Sequence, residues 1–217
     1  MSLKHDTTVV YYTSNREDEG FENRIRRSIR HASRGLPLIS VSQKPIDFGE
    51  NICVGDVGVS GHNAWRQFQI GVLAAKTKYV CPAEADTIYP KEYFSFVPPR
   101  DDTYYLAPLY VCFCQRGHGK YFALKPRGSE SSMVVNRELL LERLEGMFHG
   151  KSTWGPVEDW VWLLDKQRRT RFDMDIPVVT FKTDSNMHRK TPHRTEDRIK
   201  DLPGYGDVRD LIGRYRG

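Results

Sequence analysis

Glu84 and Asp86 stand two residues apart, directly after the apolar run Lys78-Tyr-Val-Cys-Pro-Ala83. A short apolar run of this kind reads as a buried strand. Open α/β sheets bind ligands outside the carboxyl ends of such strands, where loop side chains and backbone N–H groups converge. In extended chain this spacing puts both carboxylates on one side. Two hard oxygen ligands so placed can hold Mg²⁺ or Mn²⁺ and leave positions for diphosphate oxygens. The competing reading is an ordinary acidic surface turn. A second acidic pair, Glu158 and Asp159, opens an expected helix from about Val157 to Lys166, where acids also serve as caps that favour the helix dipole.

The elements that must position these residues follow from pattern. Thr7 to Thr13 is β-branched and aromatic and stops at Ser14-Asn15, which predicts a first strand. Phe21, Ile25 and Ile29 recur every four residues and predict a helix from Glu19 to His31, with Arg24, Arg27, Arg30 and Arg34 on its other face. Gly35 ends it, and Leu36 to Val41 reads as a second strand. Strand–helix–strand order points to a parallel sheet. Gly49 to Gly61 is a glycine-rich loop in which Val54, Val57 and Val59 suggest a short strand. It lacks the Gly-Lys-Ser/Thr ending of a P-loop. Trp65, Phe68, Val72 and Ala75 step by three and four, predicting a helix from Asn63 to Ala75 with one face buried.

Beyond the acids, Tyr104 to Cys114 and Lys120 to Leu124 read as strands joined by the turn Gly117-His118-Gly119. Asn136 caps a helix through Leu140, Leu144 and Phe148, and Ile176 to Phe181 is a last strand. The tail after Lys182 is polar and basic and is expected to be mobile when nothing is bound. The expected class is α/β, a single domain with a mostly parallel central sheet flanked by helices.

Composition sets the outer bounds. The chain has 217 residues, 39% hydrophobic and 28% charged, enough for one sizeable core and too little for two comfortable domains. Thirty-three basic against 28 acidic residues give a net charge of +5, which suits phosphates, nucleotides or nucleic acid without choosing among them. No run approaches the ~18 apolar residues of a membrane span. The opening Met1-Ser-Leu-Lys-His-Asp6 has no apolar signal core, and the cysteines at 53, 81, 112 and 114 make no disulfide framework. A cytoplasmic setting is expected.

The stretch from Gly71 to Pro90 resembles the centre of glycosyltransferases of the glycosyltransferase-A fold, compact and family-2-like. In these a helix ending in Ala-Lys leads into a buried strand, an acidic "DxD" motif and a Tyr-Pro turn. The resemblance implies that Asp86 binds Mn²⁺ or Mg²⁺ and that Glu84, standing where the family has its first Asp, contacts the metal's surroundings or the nucleotide ribose. Val157-Glu158-Asp159-Trp160 resembles the Glu-Asp motif of inverting members, which implies Asp159 as catalytic base and Glu158 as its orienting partner. Asn186 to Arg194, before Leu202-Pro-Gly-Tyr-Gly206, resembles the loop that folds over the donor diphosphate. It implies His188 or His193 as a further metal ligand and Arg189 and Lys190 as phosphate contacts.

By the same resemblance, Thr13, Ser14 and Asn15 would cradle the nucleoside, Ser42 and Gln43 would lie near the base, and Asn63 and Gln67 would face the same pocket. Trp154 and Trp160 flank the expected base and suit acceptor stacking. The halves implied are nucleotide-binding at 1–90 and acceptor-binding at 91–183, followed by the basic segment 184–217. The donor class implied is a UDP-sugar. Compact enzymes of this kind occur in bacteriophages, which with the basic tail makes a hydroxymethylated DNA base a sensible acceptor beside a surface or soluble glycan.

Two other functions compete. A nucleotidyltransferase would want a Gly-rich, Lys/Arg-bearing signature after the first strand, and Thr13-Ser-Asn-Arg-Glu-Asp-Glu19 does not supply it. A nucleic-acid-binding module would use the arginines of the first helix, which are interleaved with Glu22 as on a solvated face. Cys112, Cys114 and His118 invite a zinc reading but have no second ligand pair, so buried thiols are expected. Ser129 to Ser132 reads as a loop over the acceptor.

Overall fold

The computed structural model describes residues 6–117, 119–155, 166–185 and 198–216. Its first half is a chain of βα units: β1 (Thr7–Thr13), α1 (Glu19–Ala32), β2 (Leu38–Ser42), β3 (Glu50–Cys53), α2 (Gly61–Ala74) and β4 (Tyr79–Glu84). There follow β5 (Thr87–Ile88), α3 (Lys91–Ser95), β6 (Tyr104–Leu106), β7 (Leu109–Phe113), β8 (Tyr121–Leu124), β9 (Met133–Asn136) and α4 (Arg137–Phe148). The last described elements are β10 (Arg169–Arg171), β11 (Val178–Lys182), β12 (Arg198–Ile199), β13 (Asp201–Leu202), β14 (Gly206–Asp207) and α5 (Val208–Arg216).

A seven-stranded sheet in the order β10-β6-β9-β4-β1-β2-β3 forms the centre. β9 runs against both of its neighbours, and every other pairing is parallel. The expected α/β class, a mostly parallel sheet with helices on its faces, is the one observed. β1 lies between β4 and β2 and is covered on both faces, which is why its sequence is almost continuously apolar or β-branched. Val9 and Tyr11 pack with Phe21, Ile25 and Ile29 of α1, while Val10 packs with Phe68 and Val72 of α2. α2 lies so close to β1 that a Cβ at Gly71 would come within 2.3 Å of Val10 Cγ1. Only glycine fits there.

Helix starts follow the sequence rules. The Asp18 carboxylate accepts from Phe21 N at 2.8 Å, the Ser60 hydroxyl from Asn63 N at 3.0 Å, and the Asn136 side chain from Glu138 N and Leu139 N.

Three expectations need correction. The single strand expected from Tyr104 to Cys114 is two strands, because Pro108 has no N–H to donate and the ladder breaks there. β6 stays in the large sheet, and β7 joins a second one in the order β12-β8-β7-β11-β5. The short strand expected within Val54 to Val59 lies earlier, at β3; Gly55 and Gly58 have φ of 77° and 78°, which breaks an extended run. Residues 129–132 are no loop over a ligand. They form a tight helical turn with Ser131 and Ser132 buried, the latter bonded to Ala107 O at 3.2 Å. The buried thiols expected at Cys112 and Cys114 are observed.

Candidate active site

Strands β1, β2 and β3 run outward on one side of the sheet and β4 lies on the other, so the strand order reverses between β1 and β4. A crevice outside the carboxyl ends at such a reversal is where open α/β sheets take ligands. Register brings the expected residues to this edge. Thr13 pairs with Ser42 and Ser42 with Cys53, while Tyr12 pairs with Glu84.

Glu84 is the last residue of β4, and Ala85-Asp86 is a turn, so the alternation assumed for an extended chain stops between the two acids. Their partners differ accordingly. Glu84 Oε1 accepts from the Tyr12 hydroxyl at 2.6 Å. Asp86 Oδ1 accepts from Thr87 Oγ1 at 2.9 Å and Thr180 Oγ1 at 3.4 Å. Burial, and after it the charge of Asp86, pushes the Glu84 carboxyl above its ordinary range, and the Tyr12 bond partly offsets this. Two tyrosines brace the strand end. Tyr89 Oη accepts from Glu84 N at 3.1 Å and donates to Ser131 O at 2.9 Å, and Tyr93 Oη donates to Pro82 O and Met133 O.

A third acid joins them that sequence reasoning missed. Glu17, between β1 and α1, accepts from Thr183 Oγ1 at 2.8 Å. Burial first and the Asp86 charge second push it up to about 7, with the Thr183 bond and Arg216 working against the rise. The Asp86 charge thus raises both Glu84, at the end of β4, and Glu17, in the loop after β1. The available signal was Glu17's place two residues before the helix that follows β1, but that same place reads as capping chemistry. Arg216 of α5 donates to Cys114 Sγ at 3.2 Å beside this group.

The polar residues expected to touch a nucleoside lie at the carboxyl ends of β1 and β2 and the start of α2, with their side chains joined to the protein. Thr13 Oγ1 accepts from Asn15 N at 2.8 Å. Ser14 is half-buried beside it. Asn15 Oδ1 accepts from Gln43 N at 2.9 Å and Lys44 N at 2.8 Å. Ser42 Oγ donates to Lys44 O at 2.6 Å, and Gln43 Nε2 donates to Gly58 O at 2.8 Å. Asn63 Nδ2 donates to Val57 O at 2.6 Å and Gly58 O at 3.3 Å, and its Oδ1 accepts from Gly155 N at 2.9 Å. Gln67 Nε2 donates to Thr13 O and Val41 O, tying the ends of β1 and β2.

Trp154 is half-buried next to Gly155, whose carbonyl accepts from Ser60 Oγ at 2.7 Å. The chain leading to the second acidic pair is therefore held at the start of α2. Glu158, Asp159 and Trp160, and likewise His188, Arg189, Lys190 and His193, lie outside the described residues. Ser185 N donates to Thr183 Oγ1 at 3.2 Å, and the same hydroxyl donates to Glu17.

The donor set at this edge is all hard oxygen, and its mutual repulsion is of the kind a divalent cation relieves. Among the described residues, no group of three His, Cys, Asp or Glu side chains could by itself hold a metal ion. No helix among them is long and apolar enough to cross a membrane. The arginines of α1 and the turn after it are partly engaged: Arg24 donates to Tyr215 O, Arg30 to Asp47 O, and Arg34 meets His31.

No family model matches the chain, and no curated protein matches it. Solved structures similar to it include a glycosyltransferase involved in the glycosylation of the major capsid of PBCV-1, at 9% identity and TM-score 0.46, covering 80% of this chain and 92% of that one. The S. aureus TarS fragment 1–349 in complex with UDP-GlcNAc is 12% identical with TM-score 0.49, covering 96% of this chain and 64% of that one. The bifunctional IspDF from Campylobacter jejuni is 10% identical with TM-score 0.41, over 68% of this chain and 45% of that one. These are likenesses of chain path at low identity; the functional assignment rests on the reversal of the sheet between β1 and β4 and the acids gathered there.

Proposed function

We propose that this chain transfers a sugar from a nucleotide-sugar to an acceptor hydroxyl, with Mn²⁺ or Mg²⁺ at the donor diphosphate. The observation that carries the reading is the placement of Glu84 and Asp86 at the carboxyl end of β4, beside Glu17, where the strand order reverses. Nucleotides bind at such reversals, and a carboxylate group there suits a cation shared with phosphate oxygens.

Asp86 and Glu84 would hold the metal, with the remaining positions filled by diphosphate oxygens, water or His188 or His193. The cation supplies charge stabilisation for the departing nucleoside diphosphate. Asp159, oriented by Glu158, takes the proton of the acceptor hydroxyl, an arrangement that predicts inversion at the sugar carbon. Arg189 and Lys190 would neutralise phosphate charge, and Trp154 and Trp160 would stack on the acceptor. The donor is a UDP-sugar.

For the acceptor we carry forward the hydroxymethylated base of DNA, supported by the net charge of +5 and the run of bases from His188 to Arg194. Release of UDP from UDP-sugars, measured with and without Mn²⁺ in the presence of duplex carrying hydroxymethylated pyrimidine, tests the whole reading. Mn²⁺-dependent release with sugar found on the base supports it. Mn²⁺-dependent release with sugar found only on an added glycan moves the acceptor to the glycan class. No release with any common nucleotide-sugar would overturn the assignment.

A further inference from the structure

Three of the four side-chain amides expected to contact a nucleoside, those of Asn15, Gln43 and Asn63, are engaged with one another's loops instead. Asn15 holds the backbone of Gln43 and Lys44, the Gln43 side chain holds Gly58, and Asn63 holds Gly58 from the other side while accepting from Gly155. Gly58 O is the shared point, accepting from two amides on different elements. Gln43 and Asn63 are 6% and 2% exposed, so water competes little for these bonds. Asn15 sits at φ 55°, a left-handed conformation uncommon outside glycine. Its two accepted N–H bonds fix the loop in that state, as strained backbone at functional edges is usually over-determined by its surroundings.

The far end of this chain of contacts is clamped as well. His62 Nε2 lies 3.1 Å from Ser152 O, and Arg66 Nη2 donates to the same carbonyl at 3.2 Å. The Arg66 guanidinium lies 3.7 Å from the centre of the Phe148 ring at the end of α4. Residues 152–155 are thus attached to α2, and through Asn63 to the loops after β1, β2 and β3.

We propose that Asn15, Gln43 and Asn63 are positioning residues, forming a relay that fixes the loops at the nucleotide end of the edge relative to the turn 152–155, which leads towards Glu158 and Asp159. What the relay positions rests on the transferase reading above; the coupling between loops does not. Hydrogen-bond networks are one physical carrier of coupling, and here each link is a named hydrogen bond.

Amide hydrogen exchange in the full chain tests it without substrate. Gln43→Met keeps side-chain size, removes the bond to Gly58 and leaves the Asn63 and Gly155 residues themselves unchanged. Asn15→Gly suits the left-handed backbone and removes the acceptor for Gln43 N and Lys44 N. In both variants the Gly155 amide is expected to exchange about fivefold faster or more, the scale of one lost hydrogen bond, while Tyr11 in β1 exchanges at its original rate. Original exchange at Gly155 in both variants, with residues 54–60 loosened, would overturn the relay. A second readout applies with nucleotide-sugar and acceptor present. Gln43→Met should lower kcat through misplacement of the acidic pair and leave the KM for donor within about twofold. A rise in donor KM alone would make Gln43 a direct donor contact. If no variant and no unmodified chain turns over, the transferase reading fails while the exchange result still decides the coupling.

Discussion

Tyr12 donates a 2.6 Å hydrogen bond to Oε1 of Glu84, its register partner across β1 and β4. The bond orients a carboxylate that burial would otherwise push further towards its neutral form. It also joins the two strands between which the sheet order reverses.

Tyr12→Phe keeps the ring that packs against Phe68 and deletes only the donor. A partner behind a metal-binding carboxylate is typically worth about 10-fold or more in metal affinity. Mn²⁺-dependent binding of UDP, followed by calorimetry, should therefore weaken by about 10-fold, and the stability loss should be about 1–3 kcal/mol. Unchanged Mn²⁺ dependence would remove Glu84 from the cation site.

The raised acids give a pH signature. Glu17 moves from an ordinary 4.5 to about 7, so it holds its proton more tightly folded than unfolded. Between those values the folded state binds more protons, and stability falls as pH rises through the window. Melting temperature without ligand should decline from pH 4.5 to 7, and Glu17→Gln should flatten that decline and raise the melting temperature at pH 8. An equal slope in the variant would contradict the charge crowding at this edge.

Much of this architecture is legible in the chain. The strand at Thr7–Thr13 follows from β-branched residues, and α1 from Phe21, Ile25 and Ile29 at four-residue spacing. Local rules reach that far because each signal lies within one element. Glu17 was not legible: the partner that identifies it, Thr183, is 166 residues away, and nearby it looks like any acid before a helix. Nor was the break in alternation between Glu84 and Asp86, since a two-residue spacing alone does not reveal the turn at Ala85-Asp86. α5 escaped for another reason. Val208 and Leu211 are buried against the core, but the helix is otherwise rich in arginine and lies in a tail whose composition reads as solvated. The amides of Asn15, Gln43 and Asn63 lie after β1, after β2 and at the start of α2, as the pattern of elements implies, and only the loops folded around them reveal that they hold backbone.

Gly71→Ala tests the close approach of α2 to the central strand. The added Cβ would meet Val10 Cγ1 at 2.3 Å, with Val41 Cγ2 at 3.2 Å behind it. Overpacking of this kind should cost about 1–3 kcal/mol, outweighing the better helix propensity of alanine. Denaturant unfolding measures it. A stabilised variant would mean that α2 shifts freely on the sheet.

Asp159→Asn keeps the size and capping ability of the side chain and removes its proton acceptor. Turnover should fall about 100-fold or more with donor affinity nearly unchanged. Near-normal turnover would return Asp159 to a helix cap.

Binding of UDP to the unmodified chain and to Asp86→Ala, titrated calorimetrically with and without Mn²⁺, tests the central claim most directly. The unmodified chain should bind UDP at least about 10-fold more tightly with Mn²⁺, and Asp86→Ala should lose that gain while melting as a folded protein. Equal Mn²⁺-dependent affinity in the two proteins, or no nucleotide binding in either, would contradict a cation-assisted nucleotide site at the β1–β4 reversal.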